Sequence, residues 1–329
     1  MRALRPALTL LALAAAVTGV FFAPRWVSDI DLAEMGVWFI AILGLNIVSG
    51  YTGQISLGHG AFMAVGGYTT AILVTDHGVR DLWTIPLAGL VAGLAGFLVG
   101  VPALRLSGLY LALATFGLAV ATPQLIRWDR AEGLTGGNGG IQLFNEEDLI
   151  GKGFADVEVL GQTLTFTRAV HYLTWGVAGL LLVIAWLVLR GGPGRAFRAV
   201  RDSELAATSS GVNLAAYKTG AFALSAFYAG VAGSLYVIAA TFANPETFPV
   251  AFSLTLLVGA VVAGLGSFWG LLAGAAFLTF VDDLAEDIST APGVPDTIFG
   301  LVLVALVLVL PTGVAGGLRR LFDPLTSRL

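Results

Sequence analysis

Repeated apolar runs of roughly 20 residues constrain this chain more than anything else in it. Segments such as Tyr172–Leu189 and Leu301–Leu310 carry no acidic or basic side chain. Runs of that kind read as helices that cross hydrocarbon. Lipid offers backbone amides no partner, so a spanning segment must satisfy them internally, and a helix does so within one run. Only 12% of the 329 residues are charged, against about 25% in a soluble domain. The expectation is an all-α, polytopic membrane protein with about ten transmembrane helices. They fall near residues 7–23, 32–50, 55–75, 83–101, 107–126, 169–189, 219–240, 252–266, 268–284 and 297–314. The run at 252–266 is short and Gly-rich, and reads as broken or re-entrant. No soluble domain or low-complexity tract interrupts the chain, so residues 1–329 form a single transmembrane domain.

Residues 7–23 follow Arg2 and Arg5, a basic start that a signal peptide shares. No clear Ala-x-Ala cleavage site closes the run, and a retained first span is the favoured reading. Orientation then follows from Lys and Arg. With the N-terminus inside, eleven of the 17 basic residues face the cytoplasm. They are Arg2, Arg5, Arg105, Arg190, Arg195, Arg198, Arg201, Lys218, Arg319, Arg320 and Arg328. Only Asp202, Glu204 and Asp323 of the 21 acids join them. Both termini are therefore expected in the cytoplasm.

One internal segment on that side, Arg190 to Gly211, is polar and patterned as helix. Arg195, Arg198 and Arg201 recur at steps of three and read as neighbours on one helical face. Asp202 or Ser203 suits the cap of a second short helix with Glu204 in its first turn, and Gly211 suits a left-handed C-terminal position. A compact, basic, capped structure between spans reads as a docking surface for a soluble partner. On the opposite side, residues 128–168 form a long polar loop that includes Gly133-Leu-Thr-Gly-Gly-Asn-Gly-Gly140. It is long enough for a short interfacial helix or hairpin that meets an extracytoplasmic partner. Residues 282–296, with Asp282, Asp283, Glu286, Asp287 and Asp296, read as a solvated acidic loop. Two glycine stripes, Gly89, Gly93, Gly96, Gly100 and Gly266, Gly270, Gly274, read as close-packing helix faces.

Several chemistries are missing. A P-loop needs Gly-x4-Gly-Lys-Ser/Thr, and neither Lys152 nor Lys218, the two lysines, sits in one. His59, His77 and His171 form no metal-ligand spacing, and there is no cysteine. No cofactor, metal or nucleic acid is called for, and an intramembrane enzyme lacks the side chains to act. A self-sufficient carrier or channel is disfavoured because the assigned span interiors hold essentially no acids. His59 itself reads as hydrogen-bonded to a backbone carbonyl in a Gly-rich bend, with a place on a substrate path as the alternative. Motion driven by another protein's chemistry is what remains.

Five separated motifs resemble a known family in order. They are Gly50-Tyr-Thr-Gly-Gln-Ile-Ser-Leu-Gly-His-Gly-Ala-Phe62, Leu134-Thr-Gly-Gly-Asn-Gly-Gly-Ile141, and Gly194-Arg-Ala-Phe-Arg-Ala-Val-Arg-Asp-Ser-Glu-Leu-Ala-Ala207 with Gly211-Val-Asn213. Asn244-Pro-Glu-Thr-Phe248 and Gly264-Leu-Gly-Ser-Phe-Trp-Gly270 follow, and Pro311-Thr-Gly313 closes the likeness. Over residues 30–318 the chain resembles the LivM-type permease subunit of branched-chain amino acid ABC importers. The resemblance implies the ABC importer permease fold in a bacterial or archaeal inner membrane. It implies two ABC ATPase subunits, a sister LivH-type permease in a heterodimer, and an extracytoplasmic substrate-binding protein. It further implies that Glu204, Ala206, Ala207 and Gly211, flanked by Arg195, Arg198, Arg201 and Asp202, form the coupling helix seated in the ATPase. Asn46, Gln54, Ser56, His59, Gly264 and Gly266 become translocation-path candidates, with backbone polar groups bared at the Gly-rich breaks. Thr135, Gly136, Gly137 and Asn138 become candidates for contact with the binding protein. Urea and short-chain amide importers use similar permeases, so the transported compound stays open between them and branched-chain amino acids.

Overall fold

The computed structural model describes residues 27–77, 81–106, 108–143 and 165–317, together with Gly19 and the pairs 158–159 and 162–163. The expected first span, 7–23, lies outside the described residues apart from Gly19. The protein is all-α in its body. Helix α1 (Asp29–Leu45) runs into a π-helical turn at Asn46–Tyr51. After a break come α2 (His59–His77), α3 (Asp81–Ala103) and α4 (Leu109–Ile126). A short α5 (Glu132–Thr135) and a 3-10 turn at Gly137–Gly139 lead to β1 (Ile141–Gln142). Strands β2 (Glu158–Val159) and β3 (Gln162–Thr163) precede α6 (Phe166–Arg190). Then follow α7 (Gly192–Asp202), α8 (Glu204–Ser209), α9 (Leu214–Ala240) and β4 (Phe242–Ala243). Helices α10 (Val250–Ala263), α11 (Leu271–Ile288) and α12 (Val294–Val309) complete the described chain. The strands are two-residue pairs, β1 antiparallel to β4 and β2 antiparallel to β3.

Among the described residues, six segments are long and apolar enough to cross a membrane: Asp29–Tyr51, Leu82–Ala103, Leu109–Ile126, Phe166–Arg190, Leu214–Ala240 and Thr297–Gly317. The chain is a multi-pass membrane protein. Helix α10 has 14 residues, about 21 Å of helix, which falls short of the roughly 30 Å hydrocarbon layer. It turns instead through Gly264 and Gly266, both at positive φ, into α11. This short helix and sharp reversal match the reading of 252–266 as broken.

Helix α1 sits at the centre. Its membrane-crossing window is 94% buried, whereas that of α12 is 11% buried. From Met35 onward its side chains are apolar all the way round, as expected where neighbours enclose a helix on every side. Polar ties fix those neighbours. Arg168 Nε at the start of α6 meets Asp29 Oδ2 of α1 at 3.2 Å, and Trp175 Nε1 donates to the Leu32 carbonyl at 2.7 Å. Tyr228 of α9 donates its hydroxyl to the Leu181 carbonyl of α6 at 2.8 Å. The stripe Gly89, Gly93, Gly96 and Gly100 lies against α9: a Cβ at Gly93 would come 3.3 Å from Cβ of Phe227, and one at Gly100 3.2 Å from Cβ of Phe222. Backbones thus approach closely where packing rather than hydrophobic exclusion drives association.

Three sequence expectations need correction. Asp282, Asp283, Glu286 and Asp287 belong to the last turns of α11, and Asp296 to the first turn of α12, so the loop between them is only 289–293. Charged side chains end an apolar run without ending a helix whose tip reaches water. The second glycine stripe is no helix face. Gly266 lies in the turn, Gly270 caps α11, and only Gly274 is helical, packed on Gly259 and Ala263. Finally, residues 52–58 are not helical, so the third expected span begins at His59 rather than at residue 55.

Candidate functional site

The candidates for the coupling loop and the translocation path gather around one crossing. In the π turn that ends α1, the Asn46 side chain donates Nδ2 to the Ser267 carbonyl at 2.8 Å and accepts the Gly266 amide at Oδ1 at 2.7 Å. One amide therefore clamps the α10–α11 turn to the end of α1. Gly50 faces Gly266 so closely that a side chain on it would strike Asn46 Oδ1 and the Gly266 backbone. The break after the π turn is tied down as well. Gln54 N donates to the Val48 carbonyl at 3.1 Å, Ser49 Oγ to the Gln54 carbonyl at 3.1 Å, and Gln54 Nε2 to Thr52 Oγ1 at 2.9 Å. The amides opening α2 are met from other helices. Thr115 Oγ1 of α4 accepts from Leu57 N at 2.9 Å, and Ser253 Oγ of α10 accepts from Gly60 N at 3.0 Å.

These bonds spend several of the polar groups that the breaks were expected to bare. A buried amide without a partner costs about 1–3 kcal/mol, which is why Asn46, Thr115 and Ser253 stand where they do. Ser56 is buried beside them. His59 is fully enclosed, and neither ring nitrogen meets hydrogen-bond geometry. The Ala41 carbonyl acts on the ring as its backbone hydrogen-bond acceptor, outside strict geometry, so the expected carbonyl partner is present and comes from α1.

The segment Arg190–Gly211 folds onto the same end of the bundle. Helix α7 starts with Pro193 in its first turn, where the missing amide costs nothing. Ser203 rather than Asp202 caps α8, accepting from the Ala206 amide at 3.2 Å. Gly211 adopts φ +83°, and the Val212 amide returns to the Ala207 carbonyl at 3.0 Å, a left-handed helix end. Arg195, Arg198 and Arg201 do not share one face. Each step of three turns about 300°, so the first and third point well apart. Arg198 Nη1 donates to the Leu189 carbonyl at 3.3 Å, while Arg201 Nη1 donates to the Gly50 carbonyl at 2.6 Å.

The small residues of α8 also divide. Ala206 is exposed and Ala207 is buried against the protein's own body. Leu205, to which the sequence reading gave no role, is 83% exposed. A second missed residue is Lys218, buried at the start of α9, whose Nζ meets Glu204 Oε1 at 2.6 Å. A lone lysine opening an apolar helix was the available signal, since such a charge needs a partner. Thr52, Gly53, Gln54, Leu106, Arg201 and Glu204 help line a pocket of about 290 Å³ between α8 and the π turn.

The other candidates stand at the far end of α4, 18 residues or about 27 Å away. Thr135 Oγ1 donates to the Ile126 carbonyl at 2.8 Å, Gly136 adopts φ +69°, and Gly137 is buried. Only Asn138 presents its side chain outward. Strand β1 pairs with β4, so the motif 134–141 lies against Asn244 and its neighbours, two stretches that sequence reading kept apart. Arg127 and Glu246 face each other there at 3.7 Å, an exposed pair worth little. Among the described residues no group of His, Asp and Glu could hold a metal ion.

Residues 32–310 match the family described as branched-chain amino acid transport system permease component. The chain is 37% identical over 274 residues to the high-affinity branched-chain amino acid transport system permease protein LivM of Salmonella typhimurium, covering 79% of this chain and 64% of that one. Against LivM of Escherichia coli the identity is 36% over 286 residues, covering 83% and 66%. LivH of Salmonella typhimurium, also a branched-chain amino acid permease protein, is 25% identical over 315 residues, covering 90% and 96%. The chain thus spans just under two thirds of the length of the two LivM relatives. All three relatives are transport permeases, not enzymes. No solved structure matches the chain.

Proposed function

The chain belongs to the branched-chain amino acid transport system permease family, and from that premise we propose that it is a membrane-spanning permease subunit of an ABC importer for leucine, isoleucine, valine or related hydrophobic amino acids. In this reading it has about ten spans in one domain, in a bacterial or archaeal inner membrane, with both termini cytoplasmic. Residues 190–218 form the cytoplasmic coupling loop and 128–168 the extracytoplasmic loop. A sister LivH-type permease completes the pathway, two ATPases bind below, and a substrate-binding protein docks above, where Asn138 is the outward side chain.

The observation that carries the reading is α8. It is a capped, six-residue helix outside the membrane-crossing segments, with Leu205 83% exposed at its surface. An apolar side chain that bare in a polar segment suits burial in a partner's cleft. Glu204, Ala206 and Gly211 fix its shape, and Arg195 adds positive charge to the rim. ATP binding closes the paired ATPases, α8 moves with them, and the spans reopen toward the other side. Asn46, Gln54, Ser56, His59, Gly264 and Gly266 frame the path as the crossing that moves, rather than as exposed ligands for the substrate.

The test is uptake of labelled leucine into proteoliposomes holding both permeases and the ATPases, with binding protein and ATP. ATP-dependent uptake is expected. Glu204→Arg and Gly211→Pro should abolish it while the two permeases still co-purify. Full uptake by either variant would sink the coupling assignment, and uptake of urea in place of leucine would reassign the substrate.

A further inference from the structure

Of the four arginines in residues 190–218, only Arg201 is bonded into the crossing of the two breaks. The chain leaves helical geometry after Tyr51, and the Gln54 amide, which a continued α-helix would offer to Gly50, donates to Val48 instead. Arg201 Nη1 supplies the donor that Gly50 lacks, at 2.6 Å. A hydrogen bond from a charged donor is roughly twice as strong as a neutral one. The same guanidinium lies beside the second break: a Cβ at Gly266 would come 2.8 Å from Nη1. Its stem passes over Gly53, where a Cβ would come 3.2 Å from Cγ. Asn46 then joins Gly266 and Ser267 to the π turn from the other side. One side chain therefore touches both places where a membrane helix is interrupted.

Its position in the chain is as telling as its contacts. Arg201 precedes the Ser203 cap of α8 by two residues, so a displacement of α8 reaches its Cα through two peptide units. Rigid peptide planes leave little slack over that distance. Resting on the reading of 190–218 as the coupling loop, we infer that Arg201 is a positioning residue that passes the motion of α8 to the crossing of the two breaks. It does so from within the permease rather than by touching the ATPase. Arg195, exposed as Arg201 is but about 120° away around α7, keeps the outward role.

The experiment compares Arg201→Met, which keeps the stem and removes the donors, with Arg201→Lys, which keeps a charge and a donor. Both are placed in the full complex of two permeases, ATPases and binding protein. ATP hydrolysis and leucine uptake are measured on the same vesicles, and ATPase content is measured after purification. Arg201→Met should keep its ATPases and hydrolyse ATP, while uptake per ATP falls about tenfold. Arg201→Lys should recover a clear part of that loss. Uptake per ATP within twofold of the parent in Arg201→Met, or no gain in Arg201→Lys over it, would overturn the inference. Loss of bound ATPase in Arg201→Met would overturn it too, by making Arg201 a partner contact, while leaving the coupling loop itself standing. Should Arg201→Met fail to reach the membrane, Arg201→Gln, whose shorter amide cannot span to Gly50, replaces it under the same criteria. Failure of the wider reading is distinct: it appears as full uptake by Glu204→Arg, whatever Arg201 does.

Discussion

A methyl group on Gly50 would have to share space with Asn46 Oδ1 and the Gly266 backbone. Gly50→Ala is therefore expected to destabilise the protein by about 1–3 kcal/mol, read as a lower unfolding midpoint in detergent. Gly117→Ala is the control. Gly117 lies within α4 with nothing inside 4 Å of its added Cβ, so the same change should stabilise by about 0.5–1 kcal/mol. An unchanged midpoint for Gly50→Ala would mean that the crossing is looser than drawn. The pair Glu204–Lys218 invites a double-mutant cycle. Lys218 is buried and Glu204 half-exposed, so a coupling of about 1–2 kcal/mol is expected, and additivity would show that the contact does no more than a solvated pair. This scale was the least legible in the sequence. The cap at Ser203 and the turn at Gly211 follow from local chemistry and were readable. Arg201 finds its partner 151 residues away, and no spacing rule reaches that far.

Elements were far more legible, because an apolar run long enough to cross lipid announces a helix whatever its neighbours do. The errors fell where helices end. Acids at 282–287 read as a loop, yet α11 continues through them to Ile288. Composition marks where water begins, and backbone bonding decides where the helix stops. The π turn at Asn46–Tyr51 had no signature beyond a Gly-rich stretch, because its extra residue is tolerated only through contacts with Arg201 and the α10–α11 turn. The contact between α3 and α9 supplies a prediction at this scale. A Cβ on Gly96 would overlap that of Ala226, so Gly96→Ala should lower the unfolding midpoint, and adding Ala226→Gly should restore more than half of the loss. If the double variant is no better than the single, the two helices do not meet at that point.

For the whole molecule, the residues around Arg201 and those around Asn138 stand about 27 Å apart along α4 and should lie on opposite sides of the membrane. The chain has no cysteine, so single cysteines can be introduced without background. Leu205→Cys should react with an impermeant maleimide only from the cytoplasmic face, and Asn138→Cys only from the other. Labelling of both from one side would break the topology. The central place of α1 has a different consequence, for biogenesis. The most enclosed helix is made before α6, α9, α10 and α11, which eventually surround it. A nascent chain must therefore park α1 in lipid or beside the insertion machinery, with Glu34 and Asn46 awaiting their final surroundings, until more than 200 later residues have emerged. Order of synthesis and order of enclosure run opposite ways. The gathering of late helices around an early one is then the step expected to limit maturation, and shielding α1 during that wait should raise the yield of finished protein.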